Sequence, residues 1–409
     1  MHRSQSKTIY EALGREPVHP FPARMAPGIA LHAMPEDSVE RRVLDPMMGS
    51  GTVLAMARAR GHRGFGFDLD PLAVLISKVW TTANDPDEVR EASRKALASA
   101  KDLFADISDE AAYPRDADEE TREFVSYWFD PQARRQLTAL STYIDQVSQD
   151  TTRNVLWCAY SRLIITKQAG ASLARDLAHS RPHRCYTEAP LKPLEKFPAS
   201  VERVLNNTIS SKAADRGPAP TIHLGDARKL PVGSGSIDLV VTSPPYLNAI
   251  DYVRCSKFSL VWMGESVGGL RQVRACSVGT EAGRSSATDD PQITRVMEAM
   301  KLKPALAPTQ ERILGRYIDD MRGAIKEVGR VLADSGKAVY VVGENTVRGT
   351  YIRNSTVVCE LAESAGLKLN SRSTRTLPAN RRYMPPPAAD TGTMDGRIRR
   401  EIVLKFTKQ

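Results

Sequence analysis

The 409 residues include five cysteines, Cys158, Cys185, Cys255, Cys276 and Cys359, an odd number with no Cys-x-x-Cys pair. A disulfide framework is therefore not expected, and the thiols read as reduced residues of a cytoplasmic protein. His179-Ser180-Arg181-Pro182-His183 lies near Cys185 but lacks a fourth ligand, so no metal site is expected. No run of about 18 apolar residues occurs, and Met1-His2-Arg3-Ser4-Gln5-Ser6 has no apolar signal-peptide core. Membrane and secreted readings fall away. Residues 85–220 show no helix-turn-helix or repeat signature. The chain carries no acidic excess: the formal charge is +9 with a pI near 9.3, a balance that favours a polyanionic partner without proving one. With 41% hydrophobic residues, the length suffices for a full-sized α/β domain with additions.

The most informative segment present is Val241-Thr242-Ser243-Pro244-Pro245-Tyr246, which follows the strand-like run from Ile237. Each proline fixes its own φ and pushes the preceding residue into extended geometry, so the Ser243 hydroxyl and the loop carbonyls are expected to aim outward. Acceptors beside the Tyr246 ring suit the exocyclic amine of a flipped-out nucleobase. The plain alternative is a proline-rich turn. Upstream, Val43-Leu44-Asp45-Pro46-Met47-Met48-Gly49-Ser50-Gly51-Thr52 reads as strand, glycine loop and helix start. It is not a phosphate loop. No Lys-Ser or Lys-Thr follows the glycines, and Asp45 would repel phosphate but suits a cationic ligand such as the ammonium of S-adenosylmethionine (AdoMet). Gly64-Phe65-Gly66-Phe67-Asp68-Leu69-Asp70-Pro71 follows at βαβ spacing, with Asp68 placed to accept from ribose hydroxyls. Thr221-Ile222-His223-Leu224-Gly225-Asp226 is a further strand and turn, and Asp226 could accept from the cofactor's adenine amino group.

Taken together, these residues resemble the amino-methyltransferases of DNA, which methylate exocyclic nitrogens of cytosine or adenine. His19-Pro20-Phe21-Pro22-Ala23-Arg24-Met25 is similar to the family's N-terminal cofactor motif, Asp45 to Thr52 to its glycine motif, and Thr242 to Tyr246 to its catalytic motif. The resemblance implies an α/β, Rossmann-like class I AdoMet-dependent methyltransferase fold, a seven-stranded sheet with a large, mainly helical insertion. It implies AdoMet as cofactor, held by Phe21, Arg24, Asp45, Pro46, Gly49, Ser50, Gly51, Thr52, Asp68 and Asp226. Ser243, Pro244, Pro245 and Tyr246 would form the catalytic loop, while Tyr246, Arg381, Arg382 and Tyr383 would contact substrate. The Thr-Ser-Pro-Pro-Tyr form resembles the cytosine-N4 branch, whereas adenine-N6 enzymes more often carry Asp or Asn for the serine. Double-stranded DNA is the implied partner. A cognate restriction endonuclease is compatible with the resemblance, as are a monomer and a homodimer.

The second strand ends at Asp68 but the third begins only near Thr221, which divides the chain into a catalytic part, 1–84 and 221–409, and an insertion, 85–220, with target recognition as a candidate role. Within it, Asp87 to Ala105, Pro131 to Val147 and Thr152 to Ile165 show helical periodicity. Pro182 to Pro220 breaks that pattern and reads as a basic linker or DNA-facing loop, with Arg181, Arg184, Lys192, Lys196, Arg203 and Lys212. Later, Ile250 to Gly264 reads as an amphipathic helix and Ser277 to Pro291 as a polar, mobile stretch. Glu311 to Leu332 is a long helix beneath a strand at Lys337 to Val342. Leu367 to Thr376 and Glu401 to Phe406 finish the sheet. The expected chemistry is positioning: Ser243 Oγ and the Pro244 carbonyl polarise the amine's N–H bonds as the sulfonium methyl approaches, with no strong general base. Three rivals stand beside cytosine-N4 transfer. They are adenine-N6 transfer, an RNA methyltransferase, and a non-catalytic AdoMet- or DNA-binding regulator.

Overall fold

A computed structural model describes residues 8–21, 24–178, 182–212, 217–247, 252–280, 290–376 and 400–409. The principal strands are β1 (Arg42–Asp45), β2 (Arg63–Asp68), β3 (Thr221–Leu224), β4 (Ile237–Thr242), β5 (Leu332–Gly343), β6 (Leu367–Thr376) and β7 (Arg400–Lys408). They form one seven-stranded sheet in the order β6-β7-β5-β4-β1-β2-β3. Neighbours among β1 to β5 run parallel, while β7 lies antiparallel to both β5 and β6. This strand order, with its single reversed strand, is the class I AdoMet-dependent methyltransferase fold.

The central strands are apolar on both faces, as a sheet covered on both sides requires. On one face Val43, Leu239, Val241, Val339, Val341 and Val403 pack against Ile29 and Ala30 of the helix Pro27–Ala33 and Val53, Met56 and Ala57 of the helix Thr52–Ala59. On the other, Leu44, Val240, Ala338, Tyr340, Val342 and Leu404 meet Leu314, Ile318, Met321 and Ile325 of the helix Pro308–Val331. Gly66 in β2 is required by a close approach, since a Cβ there would overlap the Leu54 and Met48 side chains.

Between β2 and β3 lie five helices of eight or more residues in the region read as an insertion: Pro86–Asp106, Glu119–Trp128, Pro131–Asp145, Asp150–Ile164 and Pro193–Leu205. Two differ from the sequence reading. Glu119–Trp128 is an additional helix, and Pro193–Leu205 occupies part of the stretch expected to be a basic linker or a DNA-facing loop. Pro193 sits in the first turn, where its missing N–H costs nothing, and Leu194, Phe197, Val201, Val204 and Leu205 form an apolar stripe that holds the helix despite Pro198. These helices share one core with Leu72, Ile76, Val79 and Trp80 of the helix Pro71–Thr81 and with Val253 and Phe258 of the helix Tyr252–Leu260. The insertion is thereby seated on the helices that follow the cofactor and catalytic motifs. Of the stretch expected to be mobile, 281–289 lies outside the described residues.

The connections from β1 and β4 leave in opposite directions along the sheet, because β1 continues to β2 and β4 to β5. A crevice therefore opens between their carboxyl ends, the usual ligand position in an open parallel sheet.

Candidate active site at the carboxyl ends of the strands

Asp45 ends β1 and is only 3% exposed. Its Oδ1 accepts from Thr242 Oγ1 at 2.8 Å and from the Met47 N–H at 3.2 Å. The first of these bonds spans the crevice and joins the glycine motif to the Ser-Pro-Pro-Tyr motif. Burial pushes the Asp45 carboxyl up to about 7, against the two donated bonds, and the nearby Asp68 charge adds to the rise. Asp68, half-buried at the end of β2, accepts from the Gly49 N–H at 2.8 Å and from the Asp70 N–H at 2.9 Å. Its pKa too is raised by burial. Asp70 caps the helix Pro71–Thr81 by accepting from the Leu72 N–H at 2.9 Å, with Pro71 at the first helical position. Burial and then the Asp68 charge push Asp70 up to about 7. Among the described residues no ion pair reaches Asp45, Asp68 or Asp70.

The glycine loop carries the bend that the sequence suggests: Gly49 and Gly51 have φ of +49° and +82°. Gly51 is also the N-cap of the helix Thr52–Ala59, and a side chain there would overlap Ser77. Ser50 and Thr52 are buried, and Arg24 Nε donates to Ser50 Oγ at 3.3 Å while its guanidinium also donates to the His19 carbonyl. Phe21 lies over Gly49 and stacks on Tyr252, with ring centroids 5.7 Å apart and planes 7° from parallel. Pro22 and Ala23 fall outside the described residues. His19 is buried with its Nε2 3.0 Å from Ser161 Oγ, and burial, reinforced by Arg162 and Arg24, holds its pKa well below the usual histidine value. It is a neutral strut between the N-terminal motif and the helix Asp150–Ile164.

Asp226 lies just past β3, where the Gly225 N–H donates to the Asp68 carbonyl at 3.0 Å. Its two carboxylate oxygens face Arg228, with Nε at 2.9 and 3.1 Å and the second guanidinium nitrogen at 2.7 Å. Arg228 also pairs with Asp320 on the helix Pro308–Val331. The sequence assigned Asp226 to a ligand, but gave no sign of this arginine clamp.

The catalytic-motif loop departs from expectation in one respect. Ser243 Oγ does not project its proton outward; it donates to the Val341 carbonyl of β5 at 3.0 Å. Its oxygen is left as an acceptor. Tyr317 Oη donates to the Pro245 carbonyl at 3.2 Å, and Asn345 Nδ2 to the Leu247 carbonyl at 2.6 Å. Tyr246 is half-buried against the core shared by β4 and β5. Arg381, Arg382 and Tyr383 lie outside the described residues. Sequence reasoning did not single out Asp70, Thr242, Tyr252, Arg228, Tyr317 or Asn345 for a role. The Asp-Pro pair at 70–71 is an N-cap signal that could have flagged Asp70; Arg228 lies two positions from the Asp226 it clamps, and the other four depend on contacts between distant segments.

No family model matches the chain. It is 23% identical over 377 residues to the Type II methyltransferase M.MvaI of Kocuria varians, covering 84% of this chain and 80% of that protein. It is 20% identical over 318 residues to the Type II methyltransferase M.MjaII of Methanocaldococcus jannaschii, covering 58% and 59%. Among solved structures it aligns with TTHA0409 of Thermus thermophilus, described as a candidate DNA modification methylase, at 18% identity over 45% of this chain and 50% of that one, with a TM-score of 0.23. A TehB-like SAM-dependent methyltransferase of Corynebacterium glutamicum aligns at 10% identity over 94% and 87%, with a TM-score of 0.29. The strand order and register carry the fold assignment without these alignments. The similarity to Type II methyltransferases agrees with the resemblance to the DNA amino-methyltransferases. No helix among the described residues is long and apolar enough to cross a membrane, and no group of three or more His, Cys, Asp and Glu among them could hold a metal.

Proposed function

We propose that this chain transfers the methyl group of AdoMet to the exocyclic N4 of cytosine in double-stranded DNA. The observation that carries the reading is the Ser243 hydroxyl, whose proton is committed to the Val341 carbonyl. A serine in that state can only accept from a substrate, and with the neighbouring Pro244 carbonyl it makes a compact acceptor pair for an –NH2 group.

The cofactor side fits a cation. Asp45 and Asp70, buried, and Asp68, half-buried, form no ion pair among the described residues, and burying a carboxylate without a counter-charge is costly. When bound, AdoMet supplies an electrophilic methyl on a sulfonium centre together with an ammonium group. Asp45, Pro46 and the Gly49-Ser50-Gly51-Thr52 loop would hold its methionine part, Asp68 the ribose hydroxyls, and Phe21 with Arg24 would close the loop from above. Asp226 would meet the adenine amine, with Arg228 retaining Asp320 as its other partner.

The residues of the loop then act on the amine. Its lone pair is delocalised into the base, so bonds from its N–H groups to Ser243 Oγ and the Pro244 carbonyl localise electron density on nitrogen. As the N–C bond forms and the S–C bond breaks, the amine becomes cationic and gives up one proton to solvent. No catalytic histidine is needed. Stacking on Tyr246, about 1–3 kcal/mol per base, offsets much of the cost of flipping. In this reading 1–84 and 221–409 are the catalytic domain and 85–220 carries target recognition, with Arg381, Arg382 and Tyr383 as further DNA contacts. A cognate restriction endonuclease and a cytoplasmic location accord with the same reading.

The test is transfer of labelled methyl from AdoMet to DNA or RNA by the purified chain. Label in DNA that is lost in Ser243→Ala supports the reading. Label confined to RNA, or none with either polymer, overturns it.

A further inference from the structure

The loop from Ser243 to Leu247 is fastened at alternate residues. Ser243 is bonded to β5 through Val341, Pro245 through its carbonyl to Tyr317, and Leu247 through its carbonyl to Asn345. Two prolines cannot contribute backbone N–H bonds, so the loop lacks the ordinary means of being held against the sheet. The fastenings come from elsewhere. Tyr317 projects from the helix Pro308–Val331 and is buried, 1% exposed, within the core beneath β4 and β5. Burial also raises its phenol pKa, so the hydroxyl stays a donor at any physiological pH. Asn345, just beyond β5, is oriented in turn: its Oδ1 accepts from Asn354 Nδ2 at 2.7 Å, and Asn354, fully buried, also donates to the Gly343 carbonyl at 2.8 Å.

On the premise of the methyl transfer proposed above, we infer that Tyr317 and Asn345 are positioning residues: by holding the Pro245 and Leu247 carbonyls they set where Ser243 Oγ and the Pro244 carbonyl meet the substrate amine. Neither touches the reacting atoms. Both occupy carbonyls that would otherwise compete as acceptors, and both fix the loop relative to the end of β5. Because acceptor geometry matters most as charge develops on nitrogen, loosening the loop should slow turnover rather than weaken cofactor binding.

The experiment compares Tyr317→Phe, which keeps the ring and removes only the hydroxyl, with Asn345→Ala and Ser243→Ala in the full chain. A misplacement of about 1 Å can cost up to a hundredfold, so kcat for methyl transfer to DNA is expected to fall about tenfold or more in Tyr317→Phe. The AdoMet Kd and the melting temperature should stay close to those of the unaltered chain. In the pair Tyr317→Phe with Ser243→Ala, Tyr317→Phe should cost less than it does in the otherwise unaltered chain, because only the Pro244 carbonyl is then left for the loop to place. An unchanged kcat in Tyr317→Phe overturns the inference. So does a loss that multiplies independently with Ser243→Ala, or one accompanied by an equal loss of AdoMet affinity. Should Tyr317→Phe fail to fold, Asn345→Ala decides by the same criteria. An unaltered chain that methylates no DNA would remove the functional reading itself, and is distinguished by being measured first.

Discussion

The two sides of the crevice are built on opposite electrostatic principles. On the side of β1 and β2, Asp45, Asp68 and Asp70 crowd together with no ion pair among the described residues, and burial holds Asp45 and Asp70 near pKa 7. On the side of β4 and β5, the loop is neutral and Ser243, Pro245 and Leu247 are each fastened by a named bond. The first side has an electrostatic demand that a cationic ligand would meet. The second has almost none, and offers fixed acceptors to a neutral amine. One bond connects them, Thr242 Oγ1 to Asp45 Oδ1 at 2.8 Å. The contrast suggests a division of labour in which one wall is stabilised by what it binds and the other is already organised.

The largest effect should come from the organised wall. Ser243→Ala is expected to reduce kcat by about a hundredfold, the scale of losing one preorganised transition-state hydrogen bond, while AdoMet and DNA affinities change little. Steady-state kinetics beside calorimetry would show it, and a loss confined to DNA affinity would make Ser243 a recognition residue. On the other wall, Asp45→Asn keeps acceptors for Thr242 and Met47 but removes the charge. AdoMet should bind roughly tenfold more weakly or worse, since a hydrogen bond to a charged group is worth about 1.5–3 kcal/mol. The ligand-free protein should at the same time melt higher at pH 8. The sign follows from the raised pKa: the folded state keeps a proton on Asp45 that the unfolded chain releases near 3.8, so this stability is present below that value and lost as pH rises through about 7. A variant weaker in both respects would argue against an uncompensated carboxylate.

The same logic gives a pH dependence. A cation arriving beside Asp45 and Asp70 should drive off their protons, so AdoMet binding should tighten between pH 6 and 8 and release protons at pH 6, measurable in buffers of different ionisation enthalpy. Proton uptake, or no dependence, would contradict it. The smallest effect belongs outside both walls. Replacing Arg381 and Arg382 by Ala should lower the slope of log affinity for DNA against log salt by about two, with kcat at saturating DNA little altered.

The central strands were legible because they carry short apolar runs, and the mostly polar Leu367–Thr376 because its residues alternate. Leu367–Thr376 was read to the residue, and the long helix was read within three residues of its observed Pro308 start. The glycine loop was legible because Gly49 and Gly51 do something only glycine does readily, adopting positive φ before a helix. Pro193–Leu205 was missed because four prolines nearby outweighed a stripe, Leu194, Phe197, Val201 and Val204, whose value lies in a core made with distant segments. The same limit hid the fastenings. Nothing local to Tyr317 shows that its hydroxyl ends 72 positions away at Pro245, and although Arg228 lies only two positions from Asp226, its second partner, Asp320, is 92 positions away. Local chemistry pointed to the candidate site residues; the side chains bonded to them became visible only when the chain was folded.

The most direct measurement is the identity of the methylated nucleoside. Genomic DNA methylated by the purified chain with labelled AdoMet would be digested and its nucleosides separated. N4-methylcytosine is expected, because a serine oxygen and a backbone carbonyl form a compact, neutral acceptor pair. N6-methyladenine would contradict the base assignment while leaving the two walls as described, and unlabelled DNA would contradict the account at its centre.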